Sequence, residues 1–117
     1  MRTLMIIACV MWSGSAFAAQ AFFTGDDLLH QCNGSRDGER VLVGKDYYYA
    51  IGVCVGYVMG ISDMLSTSGT ICAVQHFSAS QMGDIVIKYL RDHPERRHYS
   101  ASDEIEVALK NALPCSH

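Results

Sequence analysis

Apolar residues recur along the chain at the three- and four-residue spacing of helices, and no convincing pair of strands is present. The predicted helices span about Gly25–Cys32 and about Asp46–Thr67, then run from Ser78 to a stop at Pro94 and from Ser100 to a stop at Pro114. The third has an apolar stripe of Met82, Ile85, Val86, Tyr89 and Leu90, and the fourth has Ile105, Ala108, Leu109 and Ala112 facing inward. The pattern therefore predicts an all-α bundle of about four helices.

The expected helix boundaries carry specific signals. Thr24 is a plausible N-cap of the first helix, and Ser78 and Ser100 each begin a capping pattern, with Gln or Asp three residues later. Gly69 suits the left-handed position that follows the second helix. The polar stretch Asn33–Arg40 is expected to form an exposed loop.

The second helix is predicted to be the central core helix, because Tyr47–Ile61 is fifteen residues without a charge. This run is shorter than the ~20 apolar residues that a membrane-spanning helix needs. Gly52, Gly56 and Gly60 recur every four residues and share one face. Each costs about 1 kcal/mol of helix propensity relative to Ala, so another helix should approach closely. That helix belongs either to the same chain or to a second copy at a homodimer seam.

Other side chains on this helix also predict contacts. Asp63 lies near the C-terminal end, where the helix dipole disfavours a carboxylate, so we expect an ion-pair or hydrogen-bond partner on another helix. Tyr47, Tyr48 and Tyr49 point in directions about 100° apart, so at least one should be exposed or lie at an interface. We group Tyr57 and Asp63 with the three glycines as candidates for helix packing or the dimer seam.

The amino terminus has the three parts of a secretory signal peptide. Arg2 supplies a positive charge, Leu4–Trp12 is almost wholly apolar, and Ala16-Phe17-Ala18 is an A-x-A cleavage site. We expect cleavage after Ala18, which leaves a signal peptide, residues 1–18, and one mature domain, residues 19–117. A retained membrane anchor is the weaker interpretation, because the apolar stretch is too short to span a bilayer.

The cysteines support export. Beyond the signal peptide the chain has Cys32, Cys54, Cys72 and Cys115, and an even count in an exported chain usually means disulfides. No pair has the C-x-x-C spacing of a redox or zinc site. Of the three possible pairings, helix order favours Cys32 with Cys54 and Cys72 with Cys115. Each bridge is expected to contribute roughly 3–4 kcal/mol to a small domain.

Charge and motifs indicate binding to a protein. The mature domain has eight Lys and Arg against twelve Asp and Glu, a net charge of −4, which argues against nucleic acid. None of the five histidines has the spacing of a helical metal pair, and no catalytic serine or cysteine motif is present, so we predict no catalytic residue, metal or cofactor. The binding candidates are loop residues: Arg36, Asp37, Glu39, Gln75, His76, His93, Arg96, Arg97 and His98.

An ordered set of motifs covers nearly all of the mature chain. It comprises Gly25-Asp26-Asp27-Leu28-Leu29 leading to Cys32, the run Cys54-x-Gly56-Tyr57-x-x-Gly60-x-x-Asp63, Ile71-Cys72, an apolar helix ending in His93-Pro94-Glu95, and Ala108-Leu109 leading to Pro114-Cys115. This set resembles the Rap/Tai type of immunity protein from bacterial type VI secretion systems. The chain departs from that family where Ala73-Val74 follows Cys72, a place where members often carry proline, and in the individual stretches Asn33–Arg40 and Tyr47–Tyr49.

The resemblance implies a periplasmic, all-helical and commonly homodimeric protein. Such proteins are not enzymes; they bind a peptidoglycan amidase delivered by sibling cells and block its catalytic cleft. An alternative from another class is a small periplasmic acid-stress chaperone, because five histidines could gain charge near pH 6. That alternative predicts dimer dissociation and exposed apolar surface on mild acidification.

Overall fold

Four α-helices joined by short connections make up most of the computed structural model, which describes residues 21–33 and 43–116. They are α1 (Gly25–Asn33), α2 (Gly44–Thr67), α3 (Ala79–Asp92) and α4 (Ala101–Ala112), with 3-10 turns at Val74–His76 and Pro94–Arg96. These residues form no strand; one isolated bridge joins Thr24 to Ser100. The predicted all-α fold is confirmed. The predicted signal peptide, residues 1–18, lies outside the described residues.

Two of the expected N-caps are present. The Asp27 amide donates to Thr24 Oγ1 at 3.2 Å, and the Thr24 amide donates to the Asp27 carboxylate at 3.0 Å. Ser78 and Gln81 form the same reciprocal capping box, with distances of 2.8 and 3.2 Å. Local sequence thus determines where α1 and α3 begin.

Ser100 is the N-cap residue of α4, as predicted, but the side-chain capping hydrogen bond expected there is absent. Its hydroxyl lies 2.7 Å from Ser102 Oγ and makes no cap hydrogen bond to the helix backbone. The Ala101 amide instead donates to the Phe23 carbonyl at 2.9 Å. The start of α4 is therefore also held by pairing with the segment before α1, a contact that local sequence does not reveal.

The C-terminal end of α2 has a Schellman motif. Gly69 has a φ of +73°, and its amide donates to the Ser66 carbonyl at 3.1 Å. The Thr70 amide donates to the Leu65 carbonyl at 2.8 Å. A glycine is favoured here because other residues rarely adopt a positive φ, so the expected role of Gly69 is confirmed.

Each helix contributes one stripe to a shared core, and α1 contacts the other three helices. The fully buried side chains include Leu28, Val58, Met82, Val86, Leu90, Ile105 and Leu109. Ala112, expected to face inward, is exposed, and Leu113 is buried in its place, because the chain leaves the helix after Ala112. At Gly25 an added Cβ would lie 3.0 Å from Leu90 Cδ2 and 3.1 Å from the Arg97 carbonyl oxygen, so α1 begins in close contact with its neighbours.

The longest helix, α2, is buried along one stripe, whose members are Ala50, Cys54, Val58, Ser62 and Leu65. Its opposite face is exposed. The expectation of a central core helix is thus wrong for that face. The other three helices all pack on the buried stripe, so among the described residues nothing covers the opposite face of α2.

Candidate protein-binding surfaces

Both disulfides favoured by helix order are present. Cys32–Cys54 joins α1 to the buried stripe of α2, with the two Cα atoms 4.9 Å apart. Cys72–Cys115 joins the loop after α2 to the C-terminal tail, with a Cα separation of 5.0 Å. The two bridges therefore hold α1 against α2 and the C-terminal tail against the loop after α2.

The glycine face of α2, defined as Tyr49, Gly52, Gly56, Gly60 and Asp63, is exposed. A Cβ built on any of its three glycines meets no described atom within 4 Å. Tight packing within the chain, one of the two interpretations of these glycines, is therefore not found among the described residues. The homodimer seam stays a prediction.

Exposed tyrosines stand beside these glycines. Tyr48 and Tyr49 are 75% and 73% exposed, and Tyr47 is 39% exposed. The rings of Tyr47 and Tyr48 meet edge to face, with centroids 5.8 Å apart. All three tyrosines are thus on the surface, where the sequence required at least one. Contiguous exposed aromatic surface of this kind is typical of a contact with another protein.

Tyr57 and Asp63 occupy different surroundings. Tyr57 is half-buried, and its ring lies 5.1 Å from that of Phe23, so it packs α2 against the segment before α1. Asp63 is exposed, and in the described part of the chain its carboxylate has no ion-pair or hydrogen-bond partner. The partner expected for Asp63 on another helix is therefore not found within the described residues.

Among the described helices, only α2 is long and apolar enough to cross a membrane. Its apolar window has a mean hydropathy of 1.4, and 28% of that window is buried. The core helix of a soluble protein passes the same test, so this is weak support for a span. The disulfide at Cys54 and the buried stripe place α2 against the other three helices.

Arg96 in the α3–α4 turn, defined as residues 93–100, forms an ion pair with the buried Glu104 of α4, which the sequence analysis missed. Arg96 donates to both carboxylate oxygens of Glu104, at 3.0 and 2.8 Å, and Glu104 is fully buried. The Arg96 guanidinium also lies 5.0 Å from the centre of the Tyr99 ring. Helical spacing could have revealed Glu104, because it lies three residues after Ala101 and four before Ala108, both of which face the core.

Tyr89 lies beside this ion pair. Burial raises the pKa of its phenol above the usual 10.0, the negative charge of Glu104 raises it further, and Arg96 opposes the change. The His93 ring stacks on Tyr89 at 4.3 Å, and His93 Nδ1 lies 2.9 Å from the Tyr89 carbonyl oxygen. His93 is thus engaged with α3 and is only half-exposed.

The second arginine of the turn is also engaged. Arg97 Nε donates to the Leu90 carbonyl at 2.7 Å, and Arg97 Nη2 donates to the Arg91 carbonyl at 3.3 Å. These carbonyls belong to the last turn of α3, where a cation is favoured. Of the binding candidates in this turn, Arg96 and Arg97 therefore serve the fold, whereas His98 is exposed.

The other binding candidates lie apart from this turn. Gln75 and His76 are exposed in the 3-10 turn that follows α2. Arg36, Asp37 and Glu39 lie outside the described residues. The structure thus brings His93, Arg96, Arg97 and His98 together in one turn and places Gln75 and His76 in another connection.

A small groove lies between α2 and α3. Its volume is about 300 Å³, and the Cys32–Cys54 disulfide, Tyr47 and Asp84 are among its lining groups. The described residues contain no group of three His, Cys, Asp or Glu side chains that could hold a metal ion.

These features define a class: a small, disulfide-bonded helical protein with exposed surfaces suited to contact with another protein. The family model of Rap1a immunity proteins matches residues 24–115, a range that includes all four helices and both disulfides. The chain belongs to the family of Rap1a immunity proteins. The curated proteins include no match to it.

Proposed function

We propose that this protein is a periplasmic immunity protein that binds a type VI secreted peptidoglycan amidase and occludes its catalytic cleft. The observation that carries the proposal is the family match over residues 24–115. Two disulfides support an oxidising compartment, and the expected signal peptide would direct the chain there. In this role the cell is protected from amidase made by itself or by sibling cells.

The glycine face is the surface proposed to bind a second copy of the chain. At about 100° per residue, Tyr49, Gly52, Gly60 and Asp63 all lie within about 40° of Gly56. Exposed glycines allow close approach of another helix, and the burial of the adjacent tyrosines would offset their cost in helix propensity. A second copy is favoured over other occupants because this face is complementary to itself.

That complementarity follows from spacing. In an antiparallel two-fold crossing at Gly56, residues equally far on either side of it lie opposite each other. Gly52 of one copy then meets Gly60 of the other. Tyr49, seven residues before Gly56, meets Asp63 of the other copy, seven residues after Gly56. A tyrosine hydroxyl can donate to a carboxylate, so each Asp63 would gain the partner that it lacks among the described residues.

This dimer is tested by sedimentation of the purified mature protein. Gly56→Leu places a side chain at the crossing point and should leave the protein monomeric, with its helicity unchanged because the face is open in the single chain. Met64→Leu, which changes another exposed side chain of α2, is the matched control and should leave the dimer intact. An unchanged dimer in the Gly56→Leu variant would contradict the proposed seam.

The inhibitory function is tested with the amidase encoded by the neighbouring gene. The mature protein should co-purify with this amidase and abolish its hydrolysis of purified peptidoglycan at one protein chain per enzyme. A heat-unfolded and reduced sample, which lacks the fold, serves as the control. If the folded protein neither associates with the amidase nor slows cell-wall hydrolysis, the proposed function is wrong.

A further inference from the structure

We propose that the outward side of the α3–α4 turn, formed by Glu95, His98 and Tyr99, contacts a basic surface of the effector, and that Arg96 and Glu104 hold this turn in its binding shape. The inference rests on the proposed function, since it names the surface that such an immunity protein uses. Arg96 and Arg97, which the sequence presents as binding residues, become internal supports.

The turn is tied to the rest of the molecule by its backbone. The Asp26 amide donates to the Arg97 carbonyl at 2.8 Å, and the Gly25 amide donates to the Tyr99 carbonyl at 2.9 Å. Within the turn, the Tyr99 amide donates to the Arg96 carbonyl at 3.0 Å. A loop that is already fixed in the free protein loses less conformational entropy on binding, which favours affinity.

The buried carboxylate of Glu104 gives a second reason to assign a role to this turn. Taking a charge out of water is costly, and a buried ion pair is often no more stabilising than apolar residues of the same size. The bidentate geometry does, however, fix the position of the Arg96 side chain against α4. We infer that Glu104 contributes a defined turn conformation rather than additional stability.

The outward side chains determine which partner fits. Glu95 and His98 are exposed, and Tyr99 is 48% exposed. Asp26 and Asp103 are exposed in the adjoining first turns of α1 and α4, and the carboxylates of Glu95, Asp26 and Asp103 have no ion-pair partner among the described residues. An exposed tyrosine among unpaired carboxylates is complementary to a protein surface that carries Lys and Arg side chains.

Charge reversal at the turn tests the surface directly. With the neighbouring amidase as the probe, Glu95→Lys should weaken binding about tenfold or more and make the remaining affinity less sensitive to salt. Asp84→Lys is the matched control, because it makes the same charge change at an exposed carboxylate of α3 away from the turn, and its affinity should stay within about twofold of the parent value. Equal affinities for the Glu95→Lys variant and the parent protein overturn the proposal, as does an equal loss in both variants.

The positioning role of Glu104 is tested with Glu104→Gln, which keeps the side-chain size but removes the charge that holds Arg96. The Arg96 and Tyr99 amides should exchange hydrogen faster in the free variant, amides in the middle of α2 should be unaffected, and binding should weaken. Arg96→Lys, which retains the positive charge, should show a smaller change in both measurements. Faster exchange in the turn with unaltered affinity would overturn the assignment.

These outcomes distinguish a failure of the proposed function from a failure of the assignment of the turn. If the parent protein does not bind the amidase, the proposed function fails, and this inference fails with it. If the parent protein binds and inhibits while Glu95→Lys behaves like the parent, only the assignment of the turn fails.

Discussion

Along α2, fifteen successive residues carry no charge, and yet Tyr48 and Tyr49 are about three-quarters exposed. In the α3–α4 turn the opposite holds, because charged side chains are engaged within the chain. Arg96 and Arg97 lie in the most densely charged stretch of the chain, and both donate hydrogen bonds to groups of the fold. The apolar region is available to a partner, whereas the two arginines of the charged region are engaged within the chain.

The difference shows that composition alone does not determine which surfaces are free. A residue is available for binding only if the tertiary structure leaves it without a partner. Arg96 is occupied because Glu104, eight residues later, lies in the core beneath it. The glycine face is free because α1, α3 and α4 all pack on the other side of α2. Substitutions in α2 and in the α3–α4 turn test whether the first is free and the second is engaged.

The largest effect is expected from the disulfide that orients α2. Replacing both Cys32 and Cys54 by Ala should lower the free energy of unfolding by roughly 3–4 kcal/mol, because the unfolded chain regains the freedom of a long loop. Urea unfolding of the oxidised protein measures this. The Cys72→Ala/Cys115→Ala double variant is the control: it should be destabilised by a similar amount, but without faster amide exchange at Ala50 and Val58. A loss below about 1 kcal/mol in the first variant would mean that packing alone orients α2.

The second-largest effect is expected at Arg96, whose side chain is hydrogen-bonded within the fold. Arg96→Ala leaves the buried Glu104 carboxylate without its partner. The urea midpoint of this variant should therefore fall much further than that of Lys88→Ala, which breaks an exposed pair with Asp92. Replacing both Arg96 and Glu104 by Met should recover most of the loss, because no charge then remains buried. Equal midpoints for Arg96→Ala and Lys88→Ala would show that Arg96 is as free as its sequence context suggests.

Local signals in the sequence predicted much of the fold. Thr24, Ser78 and Gly69 mark helix ends through contacts within a few residues, and all three have the expected geometry. Ser100 has an equally good local pattern and is the N-cap residue of α4, but its side chain makes no capping hydrogen bond. The Ala101 amide pairs instead with the backbone of Phe23, far away in sequence. The helix ends were thus predictable from neighbouring residues, whereas the contact with a distant segment at the start of α4 was not.

The binding surfaces were less predictable for the same physical reason. The sequence identified the residues Gly52, Gly56 and Gly60 but could not determine whether another helix of the same chain covers them. It also placed Arg96 among exposed loop residues, since only the folded structure brings that side chain onto Glu104. Exposure depends on contacts between distant segments, and a single sequence contains little direct information on those.

A smaller effect, opposite in sign for the single chain and for the dimer, is expected at Gly56. In a monomer at low concentration, Gly56→Ala should raise the free energy of unfolding by about 1 kcal/mol, since Ala favours helix and no described atom lies near its Cβ. At high concentration the same change should weaken the proposed dimer, as seen by sedimentation. Gly25→Ala is the control and should destabilise the monomer, because its Cβ would lie 3.0 Å from Leu90 Cδ2. A destabilised Gly56→Ala monomer would show that the glycine face is covered within the chain.

The smallest effect is a change in the dependence of stability on alkaline pH. Burial, and then the charge of Glu104, raises the pKa of Tyr89 above 10.0, so the folded state favours the neutral phenol. The stability gained in this way is fully present below the pKa of the unfolded chain and is lost as the pH rises through the higher pKa of the folded state. The free energy of unfolding should therefore decline more gently above pH 10 in Tyr89→Phe than in the parent protein. Tyr48→Phe is the matched control, because it also removes one tyrosine, but an exposed one. If the two variants have the same dependence of unfolding free energy on pH, Tyr89 is not held against Glu104. The α3–α4 turn would then be packed less tightly against α3 than the structure indicates.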